Sequence, residues 1–290
     1  MSDAVIDILQ GRSRDLGDGE IVRRVLPIAH RLMVGPFIFF DHMGPWNLAP
    51  GRGVDVRPHP HIGLSTVTYL FEGRIDHRDS LGSVQTIVPG DVNWMTAGRG
   101  IAHSERSPAD ERAAGPHVHG IQSWVALPEA DEECEPAFIH YPGATLPRSA
   151  GDGVRLCVIA GEAYGLRSPV ATHSPTFYVE AHLAAGAHLA LPTQYSERAL
   201  YVVDGSVSAA GRHFTEGMLP VFAAGAEVEI VADRDTHLML LGGEPLGART
   251  VWWNFVSSRP ERIEQAKADW LAQRFAAVPG ETEFIPLPAR

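Results

Sequence analysis

One short pattern of strand and turn occurs twice, and nothing else in the sequence limits the fold as strongly. Val67-Thr68-Tyr69-Leu70-Phe71 is a β-branched and aromatic run that stops at Glu72-Gly73, and Val84-Gln85-Thr86-Ile87-Val88 stops at Pro89-Gly90. The segment from Tyr69 to Ile75 resembles the one from Tyr201 to Val207, 132 positions later. The segment from Pro89 to Gly98 resembles the one from Glu216 to Gly225, 127 positions later. Two similar β-domains in tandem are the reading, with the join inside Pro128–Gly151, where Ala130-Asp131-Glu132-Glu133-Cys134-Glu135-Pro136 has the acidic, proline-terminated character of a connector. The spans are set at 1–135 and 136–290. Strands at this spacing predict an all-β chain of antiparallel sandwiches or barrels.

Helical periodicity is clear only near the end. Ser258 can cap a helix with Pro260 in its first turn, and Ile263, Ala266, Trp270 and Leu271 then form one apolar stripe. A helix over about 259–275, packed on a sheet, is expected.

Composition narrows the functional classes. The 290 residues are 44% hydrophobic and 20% charged, as in an ordinary globular protein. Net charge is −11, and Lys267 is the only lysine among 24 basic residues. No basic cluster offers a footprint for nucleic acid. Two cysteines, Cys134 and Cys157, are too few for a disulfide scaffold and read as buried or incidental thiols. The start, MSDAVIDILQGRSRD, has no basic region followed by an apolar stretch, and no apolar run approaches the roughly 18 residues of a membrane span. A soluble cytoplasmic protein is the expectation.

Histidine carries the chemistry. His59 and His61 in Arg57-Pro58-His59-Pro60-His61 stand at i and i+2, so on a strand they point to one face. His103 and Glu105 repeat the spacing. Two such pairs on facing strands would converge into three nitrogens and one oxygen, a set that suits a first-row divalent ion and leaves positions open. Taken alone, the His-x-His pair also fits a turn or surface role beside two prolines.

The surrounding spacing is more specific. Gly53-x5-His59-x-His61-x4-Thr66-x6-Gly73 matches the first motif of the cupin superfamily, with Thr66 where many cupins carry a glutamate ligand. Gly90-x5-Thr96-x-Gly98 followed by His103 is similar to the second motif, and the missing carboxylate returns as Glu105. That displaced glutamate resembles the pirin branch. Val34–Met43, Arg57–Leu64, Gly90–Glu105 and Gly120–Val125 with Leu127-Pro128 also resemble pirin segments, across the first domain and more weakly through the second.

The resemblance implies two tandem cupin, jelly-roll-like β-barrel domains with a C-terminal helix that packs back on the N-terminal domain. It implies one divalent metal per chain on His59, His61, His103 and Glu105, Fe(II) by family preference, with Mn, Co, Ni, Cu or Zn left open. In the second copy His59 and His61 map to Leu191 and Thr193, and His103 and Glu105 to Ile230 and Ala232, so no comparable set is expected there.

The implied activity is a dioxygenase that opens a flavonol such as quercetin with O₂ and releases carbon monoxide, Glu105 acting as ligand and base. The alternative is an iron-dependent redox sensor that binds a transcription factor or a metabolic enzyme. A small aromatic substrate, O₂ and a protein are the partners considered, without direct nucleic acid or membrane contact, and a monomer is expected. Sugar isomerase and storage-protein roles share the cupin fold but not the pirin segments.

Other histidines read differently. His117 and His119 form a second His-x-His without a matching carboxylate, so a structural or pocket-lining role is expected, and His42, His77 and His140 read as ordinary hydrogen-bonded residues. Asp41-His42 lacks a nucleophile-elbow serine, and Gly98-Arg99-Gly100 lacks the phosphate-loop pattern. Phe37, Trp94 and His119 are candidates for the pocket wall or for plain core.

Overall fold

The computed structural model describes residues 4–15 and 21–288, so the ends of the two expected spans lie outside it. The chain is mostly β-strand, and its one long helix is Pro260–Leu271. No helix among the described residues is long and apolar enough to cross a membrane. Both β-branched runs form strands. The first is Leu64–Glu72, closed by Gly73 at φ 83°, where an added Cβ would meet the His117 carbonyl oxygen at 2.1 Å. The second is Val84–Ile87.

Two compact units are present, each drawn from separate stretches of sequence. One comprises 43–143 and 246–288, and the other 4–15, 21–42 and 144–245. The units therefore interleave, in contrast to the contiguous 1–135 and 136–290 drawn above. The cause is strand pairing: Val5–Gln10 pairs antiparallel with Met218–Phe222, from Val5 opposite Phe222 to Gln10 opposite Met218.

In the unit bearing the histidine pairs, two antiparallel sheets frame those pairs. One runs in the order Ala137–Tyr141, Val92–Thr96, Leu64–Glu72, His117–Ala126, and the other Asp55–His61, Ile101–Arg106, Ile75–Asp79, Val84–Ile87. The second unit repeats the plan, but its interior is apolar: Phe177, Val179, Leu200, Val202 and Leu240 are buried together. Leu191 and Ile230, the counterparts of His59 and His103, belong to that core.

In the histidine-bearing unit, the segment after Leu246 wraps the two strands that carry His59, His61, His103 and Glu105. Ile263, Ala266 and Trp270 of the helix pack with Phe255 against Ile62 and Ala102. The Val256 amide donates to the Ile62 carbonyl (3.2 Å) and the Ile285 amide to the Pro58 carbonyl (2.8 Å). An added Cβ on Gly63 would fall 2.0 Å from the Val256 carbonyl oxygen, so only glycine admits that close approach. Buried Glu132 holds the same segment by an ion pair to Arg249 (3.0 Å) and by accepting from the Ser257 hydroxyl (2.8 Å) and the Ser258 amide (2.8 Å).

Details of the helix depart from the sequence reading. Ser258 is taken up by Glu132, so Arg259 is the N-cap and gives no side-chain cap. The helix ends at Leu271, which is 71% exposed and lies outside the apolar stripe, while Phe275 packs on the cluster from beyond the helix end.

Arg106 donates to Glu281 through Nε (2.9 Å) and Nη2 (2.7 Å), and the Ser104 hydroxyl adds 2.8 Å. The Arg106 hydrogen bond is the main cause that lowers the Glu281 pKa, against an opposing effect of burial. A carboxyl lowered on folding contributes stability above its unfolded pKa and loses it as pH falls through the folded value. Glu281→Gln is expected to cost about 1–2 kcal/mol near pH 7. The difference from wild type should shrink as pH falls below the unfolded glutamate value of about 4.3 and vanish only below the lower folded value, as followed by urea unfolding at several pH values.

Candidate metal centre

Asp55–His61 is the edge strand of its sheet, and this is why it tolerates Pro58 and Pro60: a proline lacks the N–H that an inner strand must supply. Alternation along the strand puts His59 and His61 on one face. His103 lies directly opposite His59, and Ile101 opposite His61. Between His103 and Glu105 the register slips, so that Glu105 faces Val56. The extra residue is a bulge, and it decides which side chain lies beside Glu105. Unbroken alternation from His59 would turn the Arg57 cation inward; the bulge leaves Arg57 exposed.

The three imidazoles are buried together. Ring centroids are 4.4 Å apart for His59 and His103, and 5.0 Å for the two pairs that include His61. One ring nitrogen from each lies within 4.8 Å of the other two. Burial lowers the pKa of all three, His59 to about 4, and neighbouring imidazoles add to the effect. At neutral pH they are uncharged, the form that binds metal.

Hydrogen bonds settle which nitrogen is available. His59 Nδ1 donates to the Arg57 carbonyl (2.9 Å), leaving its Nε2 lone pair free for a ligand. Asp79 is fully buried, and its Oδ2 is 3.1 Å from His77 Nε2 while Oδ1 accepts from the amides of Leu81 and Ser83. Burial pushes Asp79 up, but these hydrogen bonds outweigh it and keep the carboxyl lowered and ionised. An ionised Asp79 fixes the proton on His77 Nε2, so His77 Nδ1 accepts from His103 Nδ1 (3.4 Å). His103 is left with its lone pair on Nε2, which faces His61 Nε2 at 3.1 Å. Two imidazole nitrogens that close need a shared proton or a cation between them. Donors on one first-row ion, bound at about 2.0–2.1 Å, stand about 3.0–3.4 Å apart, so the cluster fits such an ion.

Glu105 stands outside the three-histidine set. It is half-buried, and desolvation raises its pKa, opposed by His77 and Thr68. The Thr68 hydroxyl is 3.2 Å from Glu105 Oε1 and 2.9 Å from the Gln122 side chain. One hydroxyl proton cannot serve two acceptors. Turning the Gln122 amide so that it donates to Thr68 frees that proton for Glu105.

The interior wall follows from cross-strand pairing. Thr68 lies opposite Asn93 and Gln122, and Thr66 opposite Met95 and Trp124. Trp124 meets His61 edge-on (5.0 Å), and Phe138 stacks on His77 (4.1 Å, 9°). Asn93 Oδ1 pairs with His140 at 2.8 Å, while its buried Nδ2 has no partner. Thr68, Asn93, Gln122 and Phe138 escaped the sequence reading; period-two spacing from Thr66 would have marked Thr68, whereas the other three are placed by strand pairing.

The other sequence candidates fall elsewhere. Trp94, opposite Val67, is on the reverse face. Phe37 belongs to the second unit, 5.1 Å from Tyr178. His119 packs on Phe71, and His117 pairs with Asn47 and Glu72. His42 bonds Tyr201 (2.8 Å).

Comparison with known proteins matches residues 19–125 to the pirin family and residues 178–276 to the pirin C-terminal cupin domain. The chain belongs to the pirin family. It is therefore a bicupin, with one cupin barrel in each unit. It is 52% identical to a pirin-like protein of Caulobacter vibrioides, with 99% of this chain and 100% of that protein aligned. It is 33% identical to human pirin, covering 89% of each. A crystal structure of quercetin 2,3-dioxygenase from Acinetobacter baumannii superposes with a TM-score of 0.91 at 34% identity, covering 99% of this chain and 96% of that one.

The proton order from Asp79 through His77 to His103 is testable. In Asp79→Asn the amide accepts from Leu81 and Ser83 but offers a donor where His77 needs an acceptor. Co²⁺ affinity of the His59-dependent site should fall about 10- to 100-fold with the melting temperature little changed. Unchanged affinity would dismiss the ordering role.

Proposed function

We propose that this pirin-family chain is a metal-dependent dioxygenase that opens a flavonol of the quercetin type. His59, His61, His103 and Glu105 hold one divalent ion, Fe(II) by family preference. The observation that carries the reading is the cluster of three neutral imidazoles with a half-buried carboxyl on the same strand as His103, inside a barrel whose wall is polar and aromatic. The likeness to a quercetin 2,3-dioxygenase over nearly the full length of both chains supports it.

A bound ion of this class supplies Lewis acidity and open coordination positions. The remaining work falls to the chain. Glu105 accepts the proton of the flavonol 3-hydroxyl as general base. Thr68, held by Gln122, donates to Glu105 and fixes its orientation. Trp124 and Phe138 offer flat faces to an aromatic substrate. Across the reaction, O₂ adds at C2 and C4, the central ring opens and carbon monoxide leaves.

The test joins metal analysis by mass spectrometry to O₂ uptake with quercetin. Wild type should consume O₂. His59→Ala should lose both the His59-dependent ion and the uptake. Glu105→Gln should lower uptake about 10²- to 10⁴-fold. Iron-loaded wild type without uptake, binding a protein partner in only one oxidation state, would replace this reading with the redox-sensor one.

A further inference from the structure

A second group of potential ligands lies in the other unit, away from the positions equivalent to the first. Glu180 and His182 stand at i and i+2 on the strand Thr176–Leu183, and His237 lies directly opposite His182 on Thr236–Gly243. Their alternate neighbours Val179, Ala181, Leu183 and Leu238 are in the apolar core, so these three side chains occupy the reverse face of the sheet. The two imidazoles stack at 4.1 Å and 16°. Both present Nε2 to one carboxylate oxygen: Glu180 Oε1 is 3.1 Å from His237 Nε2 and 3.4 Å from His182 Nε2. One atom from each of the three lies within 4.8 Å of the other two.

We propose that Glu180, His182 and His237 form a second site for a divalent ion of the zinc and cobalt class. The donor set is two imidazoles and one carboxylate, the composition that suits such ions while leaving a position open. The geometry agrees. Tetrahedral donors at about 2.0–2.1 Å from an ion stand about 3.3 Å apart, and the two nitrogen–oxygen separations bracket that value. The three groups come from two hydrogen-bonded strands in fixed register, and the two stacked rings must rotate about their Cβ–Cγ bonds to aim both Nε2 lone pairs at one ion.

Access is also built in. Glu180 and His237 are largely covered, with side chains 12% and 13% exposed, while His182 is 41% exposed. The two histidines line an open groove of 530 Å³ together with Arg155, Asp204 and Asp235. Asp204 lies opposite His237 and adds negative charge, whereas Arg155, opposite His182, offsets part of it. The open position faces a groove wide enough for water or a small anionic ligand, which Arg155 would attract.

The test is Co²⁺ titration of the metal-stripped full chain, read by the visible spectrum of the bound ion. Wild type should bind two equivalents. His59→Ala should retain one, and His237→Ala should retain the other. The double variant should bind none. Glu180→Gln, which keeps the side-chain volume, should weaken the second equivalent at least tenfold. A wild-type measurement guards against misfolded variants: saturating Zn²⁺ should protect His182 from acylation by diethyl pyrocarbonate, mapped by mass spectrometry. Equal stoichiometry in wild type and His237→Ala, or no protection of His182, would overturn the proposal. Loss of the His59-dependent equivalent alone would count against the first centre and leave this one standing.

Discussion

Burying three imidazoles within one small volume is the constraint around which the histidine-bearing unit is built. Charged, they would repel each other without solvent to screen them, so burial drives them neutral. Neutral, each has one proton to place, and wherever the structure fixes that proton it leaves a lone pair for the interior. The Arg57 carbonyl does this for His59, and the Asp79–His77 pair does it for His103. The bulge that keeps Arg57 outside serves the same end, since a guanidinium inside would oppose any cation there.

The segment after Leu246 then makes the arrangement rigid from behind. An edge strand with two prolines is a weak frame for two ligands, yet here its carbonyls are taken by Val256 and Ile285, and its apolar end is covered by Phe255 and the helix. The neighbouring strand is tied through Ser104 and Arg106 to Glu281. The polar interior is thereby supported by an apolar and ionic exterior, and the two ligand strands share one brace.

Much of this was legible in the sequence, for reasons that differ by residue. His59, His61 and His103 were readable because period-two spacing on strands maps directly to a face. Glu105 was readable as a neighbour, but its hydrogen bond to Thr68 depends on a contact between sheets that spacing does not encode. His77 read as an ordinary histidine because its role comes from register, opposite Glu105, and from Asp79 two residues on. Glu180 and His182 carry the same spacing signal as the first pair, yet their partner His237 lies on a strand far along the chain, so only pairing reveals it. The interleaving of the units was illegible for the same reason: repeats show which segments are alike, not which strand completes which sheet. Leu271 was misjudged because the helix stops there and its side chain turns to solvent.

The exchange of terminal segments also sets an order of events during synthesis. Val5–Gln10 is made before its partner Met218–Phe222, which comes more than 200 positions later. The strands bearing His59 and His103 are likewise made before the segment after Leu246 that braces them. The sheet that contains Val5–Gln10 must therefore wait with an exposed strand edge until Met218–Phe222 has been made. Such long-range closure is slow. By contrast, the strands that carry the histidines pair among themselves, and they gain their apolar and ionic brace only once the segment after Leu246 has been made.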